Sequence, residues 1–179
     1  YEICACLVGS EMCIRDRFLY HGGSKTYYRT WNNVARWANM ILNGTYWKFV
    51  PKSLLDDMVR NIAVVNLKKC PGGAIASSKA VRQAARQDAD LLKCQIQLYE
   101  PDIILTGGWG LVSNILHDEI FADDAEWIRP HEETALWYYK SSLVCTGKET
   151  LVVSMPHPNR AAKNWTLELE KVLRATGRS

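Results

Sequence analysis

Between Thr30 and Asn43 the chain reads TWNNVARWANMILN, and Trp31, Val34, Ala38 and Ile41 recur at the spacing that puts them on one face of a helix. Thr30 can cap that helix and Asn43-Gly44 can end it. A shorter helix is predicted after Pro51, with Ser53 as cap and Leu54, Leu55 and Met58 turned inward. The pattern then changes period. NIAVVNL is short, β-branched and apolar, which predicts a buried strand ending at polar Asn66. The glycine-bearing loop CPGGAIASS leads into the longest predicted helix, where Val81, Ala85, Leu92, Ile96 and Tyr99 keep helical spacing until Pro101 stops it. DIILT predicts a second strand, broken at Gly107-Gly108 and followed by a helix through Leu111, Ile115 and Leu116. LWYYKSSLVCTGKETLVVSM carries further extended signals, of which LVVSM is the strongest. A last helix from about Ala161 turns Trp165, Leu169 and Val172 inward and ends near Gly177.

Strands alternating with helices predict an α/β fold, a short parallel sheet covered on both faces in a three-layer α/β/α arrangement. Ligands of such sheets sit beyond the carboxyl ends of the strands. Those ends carry Asn66, then Thr106-Gly107-Gly108-Trp109, then Met155-Pro156-His157-Pro158-Asn159-Arg160.

The first 17 residues, YEICACLVGSEMCIRDR, change the composition more than they inform the fold. Back-translated, Leu7 to Asp16 fits one reading frame of a transposon-derived sequencing adapter. Residues 1–17 are therefore expected to be a non-native segment, to be left out of fold reasoning, with residues 18–179 forming one domain. Without them the six cysteines fall to Cys70, Cys94 and Cys145, widely spaced, which argues against a disulfide framework and for a reducing cytoplasm. The net charge moves from +3 to +4, because Arg15 and Arg17 leave together with Glu2, Glu11 and Asp16. No apolar run approaches membrane-spanning length. A mildly basic balance suits a polyanion without requiring one.

Taken singly, the loops say little. GGWG lacks the spacing of a dinucleotide fingerprint, and its glycines are explained by a helix packing close to a strand. His157 between two prolines suits an exposed loop, Asn66 a cap on its strand, and His131-Glu132-Glu133 a solvated turn. Cys70 has no neighbouring thiol at metal-ligand spacing, so no metal is expected.

In combination they are more specific. The run NLKKC, then a helix ending QIQLYEPDIILTGG, then a strand leading into PHPNR, resembles the uracil-DNA glycosylase superfamily, particularly its iron-sulfur members, over Ile62 to Arg160. The resemblance implies the fold of that superfamily and hydrolysis of the N-glycosidic bond of uracil or another damaged base flipped out of DNA. It matches Asn66 to the asparagine that reads the flipped base, and His157 to the histidine beside the uracil O2 oxygen. It places Pro158, Asn159 and Arg160 in the loop that enters the duplex. By their charge, Lys68, Lys69, Arg160 and Lys163 are candidate phosphate contacts.

The residue types suit that chemistry. Extruding a base costs a few kcal/mol and needs something to hold the gap. An asparagine offers a donor and an acceptor together, which match the O4 and N3–H edge of uracil. A preorganised donor at His157 stabilises the departing uracil anion where its charge develops. The chain also departs from the family pattern. Cys70 matches one cluster ligand, but Asp88 stands where the next should be, Cys94 is off register and the credible sequence has no upstream CxxC pair, so no cluster and no other cofactor is expected. The family's first motif, a strand with a Gly-containing turn such as GEAPG, is not recognisable in Phe18 to Thr30, so an N-terminally truncated domain is expected, and the residue that activates water cannot be named. The run ICACLVGSEM happens to mimic that motif and is expected to slot into its place in the sheet. DNA is the expected partner, of a monomer. A catalytically silent nucleic-acid-binding module of the same fold, or a nucleotide- or phosphoester-processing α/β enzyme using GGWG near phosphate, are the other readings.

Overall fold

A computed structural model describes residues 3–7, 25–68, 77–121, 126–128, 135–143 and 146–178. Its elements in chain order are β1 (Ile3–Leu7), α1 (Lys25–Asn43), α2 (Lys52–Arg60), β2 (Ile62–Asn66), α3 (Ser78–Gln87), α4 (Ala89–Tyr99), β3 (Ile103–Gly107) and α5 (Gly110–Ile115). A π-helical segment, Leu116–Phe121, continues α5, and β4 (Trp137–Ser142), β5 (Glu149–Met155) and α6 (Trp165–Ala175) complete the fold. The five strands lie in the order β2-β1-β3-β5-β4. The first four in that order are parallel, and β4 runs antiparallel to β5 at the edge.

Alternation along the strands builds two cores. Ile103, Leu105, Leu151, Val153 and Met155 face α1, α2 and α6 on one side, while Ile104 and Val152 face α3, α4 and α5 on the other. The architecture is therefore α/β, with helices on both faces. In α1, Trp31, Val34, Ala38 and Ile41 are buried as their spacing predicts, and so are Ala35, Trp37 and Met40 between them. Polar Asn33, Arg36 and Asn39 are buried with them, and α2 and α6 pack against α1.

Several expectations are corrected. The sheet is mixed rather than parallel throughout, because the short link from Leu143 to Lys148 returns β5 beside β4 as a hairpin, which only antiparallel strands allow. Helix α1 begins at Lys25, so Thr30 lies inside it instead of capping it. Helix α2 begins at Lys52 with Pro51 at its cap position, Ser53 is in the first turn, and Leu54 is exposed while Leu55 is buried. The long helix over Val81–Tyr99 is broken at Asp88, whose side chain type competes with the helical backbone, and Tyr99 in its last turn is exposed. Residues 163–164 form a turn, and α6 starts only at Trp165.

The segment set aside from fold reasoning supplies an interior strand. Ile3–Leu7 pairs in parallel with β2 on one side and β3 on the other, in the place expected for ICACL. Backbone pairing there asks only for an extended run, so membership of the sheet carries no chemistry with it. Among the described residues, no helix is long and apolar enough to cross a membrane.

Candidate functional site

Parallel register aligns the strand ends. Asn66 pairs with Leu7, Leu7 with Gly107, and Gly107 with Met155, so these four residues form one row across the carboxyl edge. At about 4.8 Å per strand, Asn66 and Met155 stand roughly 14 Å apart. Between them lies the point where the strand order reverses, from β1 outward to β2 and back across to β3, which is where open α/β sheets bind ligands.

Two loops on this edge are clamped together. The amides of Gly108 and Trp109 both donate to the Met155 carbonyl, at 3.0 and 2.8 Å. Trp109 has φ 54° and ψ −156°, a combination that ordinarily belongs to glycine and costs about 1–3 kcal/mol for other residues. Its ring meets that of Trp165 edge to face at 4.8 Å, so the start of α6 holds the strained residue from the other side.

The loop after β5 is a turn held from within. The Arg160 and Ala161 amides donate to the His157 carbonyl at 2.8 and 3.0 Å. The Asn159 amide donates to His157 Nδ1 at 3.2 Å. A backbone N–H can only donate, so Nδ1 is the acceptor, and the neutral imidazole carries its proton on Nε2.

Helix α1 anchors the same loop from below. Asn33 Nδ2 donates to the carbonyls of Pro158 and Ala161, at 2.7 and 3.0 Å. Asn33 Oδ1 accepts from Arg36 Nη1 at 2.6 Å, and Arg36 Nε donates to the Trp47 carbonyl at 3.0 Å. Both side chains are buried, and loss of water lowers the Arg36 pKa from its ordinary value against a smaller opposing influence of Tyr46. Sequence reasoning missed this pair, because Asn33 and Arg36 look like a solvated stripe on a helix.

The residues singled out from sequence are placed as follows. Asn66 ends β2 half-buried, with its carboxamide oxygen enclosed by protein. His157 is half-buried, Pro158 is buried, Asn159 is half-buried and Arg160 is exposed. Lys68 follows Asn66 half-buried, and Lys163 is exposed just before α6. Lys69, Cys70, His131 and Cys145 lie outside the described residues. Cys94 is exposed on α4.

Among the described residues, Arg82 and Arg86 pair with Glu119, Lys148 with Asp102 and Lys171 with Glu168, while Arg160, Lys163 and Lys68 make no ion pair, and neither do Arg29, Lys48, Arg60, Lys79 and Lys93. Beside Ser113 and Ser154, whose hydroxyls meet at 3.1 Å, a groove of 460 Å³ opens between Trp109, Trp127 and Trp137. No family model matches the chain, and no curated protein matches it.

Proposed function

We propose that the carboxyl edge of this sheet binds DNA and excises uracil or a related damaged base, as a domain like those of the uracil-DNA glycosylase superfamily. The observation that carries the proposal is the register row. It puts Asn66, the Gly107-Gly108 turn and the start of the His157 loop on one edge, on either side of the strand-order reversal. Asn66 reads the hydrogen-bonding edge of the extruded base through its carboxamide nitrogen, its oxygen being enclosed by protein. His157, a neutral Nε2–H donor, meets the oxygen on which negative charge gathers as the C1′–N1 bond breaks. Arg160, Lys163 and Lys68, which make no ion pair among the described residues, supply positive charge for phosphates. The group that activates water belongs to the family's first motif and is left unassigned.

The test is release of uracil from a labelled oligonucleotide carrying one deoxyuridine. Release supports the enzyme. Salt-sensitive DNA binding without release would instead make the chain a binding module, and neither activity would remove both readings.

A further inference from the structure

Phe49 is 72% exposed, an unusual position for a large apolar ring, and two ammonium groups approach it. Lys163 Nζ sits 4.6 Å from the ring centroid and Lys48 Nζ 6.0 Å from it. Among the described residues, neither lysine has a carboxylate partner. Two like charges held beside one ring, with no counter-charge, form a site for an anion with more than one charged group.

The location argues for which anion. Phe49 follows Trp47 by two residues, and the Trp47 carbonyl is the end of the hydrogen-bonded chain that runs through Arg36 and Asn33 to Pro158 and Ala161. The backbone beside Phe49 is therefore tied to the His157 loop. Arg29 lies one helical turn before Asn33 on α1, on the same face of the helix, and is exposed and unpaired among the described residues. Arg160, exposed on the loop that Asn33 anchors, adds a further cation, and several cations suit a backbone with repeated phosphates.

We propose that Lys48 and Lys163, spaced by Phe49, form a phosphate clamp that grips the nucleic-acid strand flanking the base-binding edge. The inference rests on the nucleic-acid part of the proposed function and not on its chemistry. Phe49 acts by holding the ammonium groups apart and in place, since cation–π attraction lowers the cost of ordering two flexible lysines.

The test is a salt series of anisotropy titrations of the whole chain against an undamaged labelled duplex. Each phosphate contact contributes about 0.9 to the slope of log affinity against log salt, so the Lys48→Ala/Lys163→Ala double variant should lower the slope by about 1.8. Phe49→Ala should weaken binding severalfold, and Phe49→Tyr should restore it. Lys79→Ala/Lys93→Ala, on the other face of the sheet, should leave the slope unchanged. The clamp is overturned if the double variant keeps the native slope, or loses no more than the Lys79/Lys93 control. It is equally overturned if the chain binds vesicles of anionic lipid but not the oligonucleotide. A chain that binds duplex through this clamp yet releases no base would refute the glycosylase chemistry alone. Base release with an unchanged slope in the double variant would refute the clamp alone.

Discussion

Asn33 reaches across 125 residues of chain to donate its amide to the Pro158 carbonyl, at 2.7 Å in a buried setting. That contact fixes the His157 loop to the middle of α1. It also leaves two carbonyls and a guanidinium dependent on one side chain. Asn33→Leu, close in volume, would strand the Pro158 and Ala161 carbonyls and Arg36 without their partner. Urea unfolding is expected to show a loss of about 3 kcal/mol at unchanged m, since each buried polar group left unpartnered costs about 1–3 kcal/mol. A loss within the scatter of surface substitutions would show that the loop is anchored elsewhere.

The backbone of Trp109 separates two contributions of that residue. Trp109→Ala removes the ring and keeps the strain, whereas Trp109→Gly removes both. The glycine variant is expected to be the more stable by about 1 kcal/mol or more in thermal or urea unfolding, the reverse of the usual order of these residues. Equal stabilities would mean that the positive φ is not maintained in solution.

Much of the fold was legible because apolar spacing reports burial directly. Trp31, Val34, Ala38 and Ile41 declare their face, and Ile104 between Ile103 and Leu105 marks a strand covered on both sides. Strand direction was not legible. An apolar run reads the same both ways, and the antiparallel β4 shows only in its short link to β5. The break at Asp88 was hidden because Val81, Ala85, Leu92 and Ile96 keep their period through it. Of the candidate site, the strand-end residues were accessible from motif and order. Asn33, Arg36, Lys48 and Phe49 were not, since each gains its role only from residues more than ten positions away or on another element.

Acid should act on the far side of the sheet. The Arg86 guanidinium hydrogen-bonds Glu119 and, with Arg82, holds its carboxyl below the ordinary value despite partial loss of water. A carboxyl depressed in the folded state contributes stability that is present above its unfolded pKa and is lost as pH falls through the folded one. Stability is therefore expected to decline below about pH 4.3, the unperturbed glutamate value, more steeply in the native chain than in Glu119→Gln. Parallel acid limbs in the two proteins would contradict this coupling.

The hydrogen bond from the Asn159 amide makes a spectroscopic prediction. At a pH where His157 is neutral, long-range proton–nitrogen correlation should show the proton on Nε2. A proton on Nδ1 would mean that the loop does not hold this turn, and would remove the donor on which the proposed chemistry depends.

The most direct measurement is the single-turnover rate of uracil release from a duplex containing one deoxyuridine, compared among the native chain, His157→Ala and Asn66→Ala. Release by the native chain is expected to fall on the order of a hundred- to a thousandfold in His157→Ala, as for loss of a preorganised donor to developing charge, and to weaken in Asn66→Ala. No release by the native chain, or release undiminished in His157→Ala, would contradict a base-excising site on this edge.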